Sequence, residues 1–124
     1  MRRKLLSLGL VVAASVALTT AALAQHAATP KLVGTVGPGY TIGLTVGGQK
    51  VSRLKAGTYT FVLHDRASVH AWSLDGPNGF AKDIAKVPFV GTTKVITLKL
   101  KAGKYKFYCP AHEAEMFGRF TVTK

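Results

Sequence analysis

Tyr105-Lys106-Phe107-Tyr108-Cys109-Pro110-Ala111-His112-Glu113-Ala114-Glu115-Met116-Phe117-Gly118 decides how this chain is read. Its first part alternates. Tyr105, Phe107 and Cys109 share one face of an extended segment by period two, and Lys104 and Lys106 take the other. Pro110 keeps the residue before it extended and has no N–H to give a ladder, so the strand has to stop at Cys109. The chain then turns through Ala111, and Phe117 opens a second strand, with Gly118 expected to let the backbone bend into it. The loop between the strands carries a thiolate (Cys109), an imidazole (His112) and a thioether (Met116). Soft sulfur and borderline nitrogen within one short loop is a ligand set that suits copper. A further ligand has to come from elsewhere in the chain.

Working outward, the remaining sequence reads as short strands between Gly and Pro punctuation. Lys31–Val36 is a first strand, closed by Gly37-Pro38-Gly39. Tyr40–Val46 places Ile42, Leu44 and Val46 on one face, and Gly47-Gly48 is a turn. Thr58–His64 points Tyr59, Phe61 and Leu63 inward, and Val69–Leu74 puts His70, Trp72 and Leu74 on one face. Residues 80–92 are compatible with a short helix or an irregular turn. Lys94–Leu100, Lys104–Cys109 and Phe117–Thr123 complete a set of seven or eight strands, which predicts an all-β sandwich or barrel. Leu54-Lys55-Ala56-Gly57-Thr58-Tyr59-Thr60-Phe61 is echoed by Leu100-Lys101-Ala102-Gly103-Lys104-Tyr105-Lys106-Phe107, a Gly turn feeding a strand in both cases. Two copies are too few for a repeat array.

His70 is the best candidate for the missing ligand. A histidine beside Trp72 and Leu74 is by itself more often a satisfied core residue, but next to the Cys109–His112–Met116 loop it reads as a ligand. Two imidazoles and a thiolate in a trigonal set, with a weak axial thioether, is the blue-copper pattern. His64 lies six residues before His70, across the break expected at Asp65–Ser68, and reads as a partly exposed histidine. His26 reads as solvated, and Glu113 and Glu115 as rim charges, with Glu115 a minor axial alternative to Met116. Structural zinc sites recruit more thiolate or histidine and rarely a thioether. A Cys109–His112 nucleophilic dyad would leave Met116 without a role and lacks an orienting third residue.

Val62–Pro77 (VLHDRASVHAWSLDGP) and Phe107–Val122 (FYCPAHEAEMFGRFTV) make the resemblance specific. With its flanking strands the chain is similar, over most of residues 31–124, to the small bacterial cupredoxins of the plastocyanin/azurin superfamily. That resemblance implies a Greek-key β-sandwich and one copper ion cycling between Cu(I) and Cu(II). It implies His70, Cys109, His112 and Met116 as the ligands, and one-electron transport in place of catalysis. One position departs from the pattern. Many relatives carry Asn after the first histidine, where it braces the ligand loop, and here it is Ala71. Its backbone N–H remains available to the sulfur, as does that of Ala111, and such bonds tune a metal site.

Composition adds the setting. Arg2, Arg3 and Lys4 precede an uncharged apolar run over residues 5–24 that ends in Ala22-Leu23-Ala24, the layout of a secretory signal peptide. The domain is then 25–124, with 25–30 a flexible lead-in. The Arg2-Arg3 pair is too generic to choose an export route. After cleavage 14 Lys and Arg face 5 Asp and Glu, a net charge of +9. The single cysteine excludes an internal disulfide in an oxidising compartment. No phosphate-cradling loop and no paired acid/base carboxylates are visible. The expectation is a periplasmic or otherwise extracytoplasmic monomer, free of the membrane after cleavage, with no nucleic-acid role and with an acidic redox protein as partner. The alternatives are a copper-binding module for storage, buffering or delivery, and a basic domain that binds acidic surfaces. With two methionines in all, one of them Met1, the open Met-rich site of a copper carrier is disfavoured.

Overall fold

A computed structural model describes residues 28–88, 90–91 and 93–124. The expected signal peptide and His26 lie outside the described residues. Among the described residues, ten strands form two five-stranded sheets. They are β1 (Lys31–Val36), β2 (Ile42–Val46), β3 (Gln49–Lys50), β4 (Arg53–Lys55), β5 (Gly57–Asp65), β6 (Trp72–Asp75), β7 (Ala81–Ala85), β8 (Thr93–Leu100), β9 (Gly103–Tyr108) and β10 (Phe117–Thr123). One sheet has the order β3-β2-β1-β5-β8 and the other β4-β10-β9-β6-β7. β1 runs parallel to β5, and β4 parallel to β10; the other neighbours are antiparallel. The all-β sandwich read from the sequence is the observed architecture.

Alternation explains how the layers meet. In β5, Tyr59, Phe61, Leu63 and Asp65 are buried while the residues between them are not. In β9, Tyr105 and Phe107 point inward in the same way. Trp72 of β6 stacks on Phe107 with ring centroids 5.3 Å apart and planes at 5°, and it meets Phe61 of the opposite sheet at 6.3 Å. Its indole N–H donates to the carbonyl of Gly43 across the sandwich (3.3 Å), so the one polar atom of the ring is satisfied. Burying a side chain of this size removes about 150–250 Å² from water, worth roughly 4–6 kcal/mol at ~25 cal/mol/Å². Phe61, Trp72 and Phe107 therefore supply a large share of the attraction between the sheets.

Three sequence expectations need correction. The described residues hold ten strands and not seven or eight, because β3 and β4 are only two and three residues long and too short to show a period. The third extra strand is β7, which occupies part of the segment read as helix or irregular turn; it pairs with β6 through a register shift at Trp72/Ser73. The strand expected from Val69 begins only at Trp72, where Trp72, Ser73 and Leu74 are all buried, so His70 belongs to the preceding loop and not to a strand face. Gly118, expected to bend the chain, lies within β10 opposite Phe107. A Cβ there would stand 2.2 Å from the Phe107 ring, so glycine is required for close approach.

Candidate metal centre

Two chain segments build one end of the sandwich. β9 delivers Cys109, fully buried, and Pro110–His112 forms a short 3-10 turn with proline at its first position. The backbone closes this turn on itself. The N–H of Cys109 donates to the carbonyl of Met116 (3.0 Å), the N–H of His112 to the carbonyl of Cys109 (3.0 Å), and the N–H of Met116 to the carbonyl of His112 (2.8 Å). Met116 itself is fully buried. The second segment is the loop from Arg66 to Ala71. The Asp65 carboxylate accepts the N–H of Ala67 (3.0 Å), an Asx-type turn that reverses the chain as it leaves β5. The N–H of Arg66 donates to the carbonyl of Val36 (2.9 Å) and that of His70 to the carbonyl of Ala67 (3.3 Å).

These two loops bring three donors together. The Nδ1 atoms of His70 and His112 are 3.1 Å apart, and the Cys109 sulfur lies 3.9 Å from the first and 3.8 Å from the second. A point equidistant from the three corners of that triangle is about 2.1 Å from each, which falls in the range of imidazole and thiolate bonds to a first-row metal (~2.0–2.3 Å). Cys109 and His70 are 0 % and 3 % exposed, and His112 is half-buried, so the triangle is open mainly on the His112 side. The N–H of Ala71 donates to the sulfur (3.4 Å). The backbone thus reaches the thiolate at the position where the side-chain brace is missing.

No protein-family model and no curated protein sequence matches this chain. Solved structures do match. A reduced tryptophan-to-tyrosine mutant of amicyanin aligns with 78% of this chain and 86% of its own, at 16% identity and a TM-score of 0.51. The reduced Cu(I) form of a proline-to-glycine mutant of amicyanin aligns over the same shares at 15% identity and a TM-score of 0.51. Auracyanin B aligns with 77% of this chain and 91% of its own, at 19% identity and a TM-score of 0.50. The fold is that of the cupredoxins.

On this cupredoxin frame the sequence-predicted residues separate cleanly. His70, Cys109 and His112 converge, and they form the one group of potential metal donors of this kind among the described residues. His64 is not part of it, since Leu63 and Asp65 on either side are buried in the core and His64 takes the opposite face of β5. Glu113 and Glu115 are exposed, as expected of rim charges, and Glu113 pairs with Lys106 at 2.6 Å. Lys106 does not project freely into solvent as its place on the strand suggested. Its ammonium also lies 5.4 Å and 5.2 Å from the ring centroids of Tyr108 and Phe117.

Tyr108 sits beside this pair on the outer face, and burial followed by the charge of Asp75 pushes its pKa above 10, with Glu113 and Asp83 adding to the effect. Asp75 of β6, Asp83 of β7 and Glu113 of the ligand loop are thus the charges that act on this phenol. The residue that sequence reasoning missed is Tyr40. Its ring lies against both imidazoles, 5.6 Å from His70 and 4.9 Å from His112 between centroids. The sequence reading placed it at the start of a strand, but β2 begins only at Ile42 and Tyr40 lies in the preceding turn.

Proposed function

We propose that this protein is a type 1 (blue) copper protein that carries single electrons between redox partners outside the cytoplasm. The observation that carries the reading is the buried triangle of one sulfur and two imidazole nitrogens, sized for a metal ion, on a cupredoxin fold. Its donor set fits copper: Cys109, His70 and His112 would hold the ion through a thiolate and two imidazoles, and the buried thioether of Met116 would offer a weaker fourth donor. Bound there, copper supplies one-electron chemistry between Cu(I) and Cu(II).

The chain's own work is to hold the donors still. Cys109 is tied to Met116 by a backbone hydrogen bond, His112 is fixed by the turn at Pro110, and His70 by the Asx turn at Asp65. Donors that keep their places in both oxidation states keep reorganisation small, so an electron can pass without any ligand leaving. The N–H of Ala71 withdraws electron density from the sulfur and tunes the potential. Delivery of copper would require this clasped loop to open, which favours carrier over courier. The partner is an acidic redox protein drawn to the basic surface, the working form is a monomer, and residues 1–24 serve as the export signal.

The visible spectrum of the Cu(II)-loaded protein tests the proposal. An intense thiolate-to-copper absorption and a reversible one-electron wave are expected. A colourless complex, or rapid transfer of Cu(I) to a metal-free acceptor with an irreversible wave, would replace electron transfer by copper delivery.

A further inference from the structure

Tyr40 stands outside everything the proposed function uses. It lies in the turn between β1 and β2 and is 65 % exposed. Yet its ring meets the His112 imidazole nearly edge to face, at 4.9 Å and 83°, and the His70 imidazole at 5.6 Å and 55°. The two imidazoles meet each other at 4.8 Å and 80°. All three pairs fall within the ~4.5–7 Å separations at which tilted and perpendicular aromatic rings attract. The result is a closed cluster of three rings, two of them donors and the third a phenol.

The turn that presents Tyr40 is fastened to the loop that carries His70. The N–H of Gly37 donates to the carbonyl of Thr41 and the Thr41 hydroxyl to the carbonyl of Pro38, both at 2.8 Å. Gly37 has φ +71°, and a Cβ on it would lie 2.6 Å from the Cβ of Ala67, three residues before His70. Only glycine allows that contact. The backbone of Tyr40 is therefore positioned by the site's own scaffold. His112 is the more open of the two histidines, and it is the one whose ring Tyr40 approaches more closely.

From this geometry we infer that Tyr40 is a positioning residue, an aromatic brace that holds the two imidazoles in place from outside and screens the donor triangle from external ligands. This rests on the reading of His70, Cys109 and His112 as metal ligands. Cys109 is fixed by β9 and by the Ala71 N–H, and His70 is enclosed by the core. The His112 ring is tethered by its own turn and, on its open side, by Tyr40. Without that ring, the imidazole gains rotamer freedom and small anions gain a path to the centre.

The test uses the full chain with Tyr40→Phe, which keeps the ring, and Tyr40→Leu, which keeps bulk and removes it. In the metal-free protein, the carbon-bound imidazole protons of His70 and His112 are followed by NMR. Tyr40→Phe should leave their signals displaced by a neighbouring ring, as in the wild type, and Tyr40→Leu should shift and broaden them. In the Cu(II) form, azide should perturb the visible absorption of Tyr40→Leu at concentrations that leave the other two unchanged. A chelator should remove copper from Tyr40→Leu about tenfold faster, in line with the loss of a favourable aromatic pair. Imidazole signals, azide insensitivity and a rate of copper loss in Tyr40→Leu that all match the wild type would overturn the brace. Equal defects in Tyr40→Phe would overturn it too, because the ring would then not be what matters. If the chain takes up no copper, the metal reading fails by itself, and the imidazole signals still decide the role of Tyr40.

Discussion

Leu54–Phe61 and Leu100–Phe107 are nearly the same segment, each crossing between the sheets, the first into β5 and the second, in the opposite sense, into β9. In each, a glycine leads into a strand whose tyrosine hydroxyl donates to the carbonyl of the lysine four residues upstream, Tyr59 to Lys55 at 2.7 Å and Tyr105 to Lys101 at 2.9 Å. In each, the phenylalanine two residues later packs on Trp72. The copies part only at their far ends. β5 runs on to a buried Asp65, whose carboxylate shapes the loop that presents His70. β9 ends at Tyr108, and Cys109 with Pro110 begins the ligand loop directly. One structural device thus aims two strands at the same end of the sandwich, and the few residues after each strand decide what chemistry arrives there.

The sharpest way to break the comparison is at those ends. Cys109→Ser should remove the visible copper absorption entirely while the chain stays folded, because the serine keeps the strand and turn but supplies no thiolate. His64→Ala, at the corresponding end of β5, should leave the absorption intact, since His64 lies on the opposite face from the core. Far-ultraviolet circular dichroism alongside the visible spectrum checks both. If Cys109→Ser keeps the band, the sulfur is not a ligand. Next in size is the packing on Trp72. Phe61→Ala and Phe107→Ala should each cost about 3–5 kcal/mol in denaturant unfolding, since both empty space in a closed core. Only Phe107→Ala should also alter the copper spectrum, because its ring precedes Cys109 by two residues on the same strand face.

The shared device is also what made most of the fold legible in the sequence. Period-two burial in β5 and β9 can be read directly, and so can the stop imposed by Pro110. The spacing of Cys109, His112 and Met116 pointed to the site because a single turn brings such neighbours together whatever the rest of the chain does. His70 was found by chemistry and misplaced by pattern. Alternation from Val69 to Leu74 suggests a strand, but a loop fixed by Asp65 and Val36 overrides it. β3 and β4 carry too few residues for any period, and β7 mixes Lys82 and Asp83 with small side chains. Tyr40 was invisible for a different reason. Its contacts with His70 and His112 join positions 30 and 72 residues apart, and no local pattern encodes them.

Gly118→Ala tests the β9 copy from across the sheet. The added methyl would meet the Phe107 ring at 2.2 Å, and Phe107 is also stacked on Trp72 at 5.3 Å. With little room to give way, overpacking should cost about 1–3 kcal/mol. Unfolding midpoints in denaturant at constant slope measure it. A neutral result would mean that the ring yields easily and that the stack on Trp72 is soft. Combining Gly118→Ala with Phe107→Leu should recover part of the loss, because the smaller side chain vacates the contested volume.

The smallest effect is expected in the tyrosines, where the two copies should be most alike. Tyr59→Phe and Tyr105→Phe each delete one hydroxyl that donates to a backbone carbonyl, and each should cost about 1 kcal/mol at neutral pH. The two sites lie in different sheets, so the double variant should show the sum. Alkaline pH adds a second reading at Tyr105. Burial raises its pKa above 10, so the folded protein keeps this proton where the unfolded chain has begun to lose it. Stability from that group is fully present below about pH 10 and falls as the pH rises toward the folded value. Tyr105→Phe removes the titrating group, so its unfolding free energy should decline less steeply than the wild type's above pH 10. Tyr108, raised in the same direction, accounts for part of the decline that remains. Parallel alkaline curves for Tyr105→Phe and wild type would show that the phenol of β9 is no more shielded from ionisation in the folded state than in the unfolded chain.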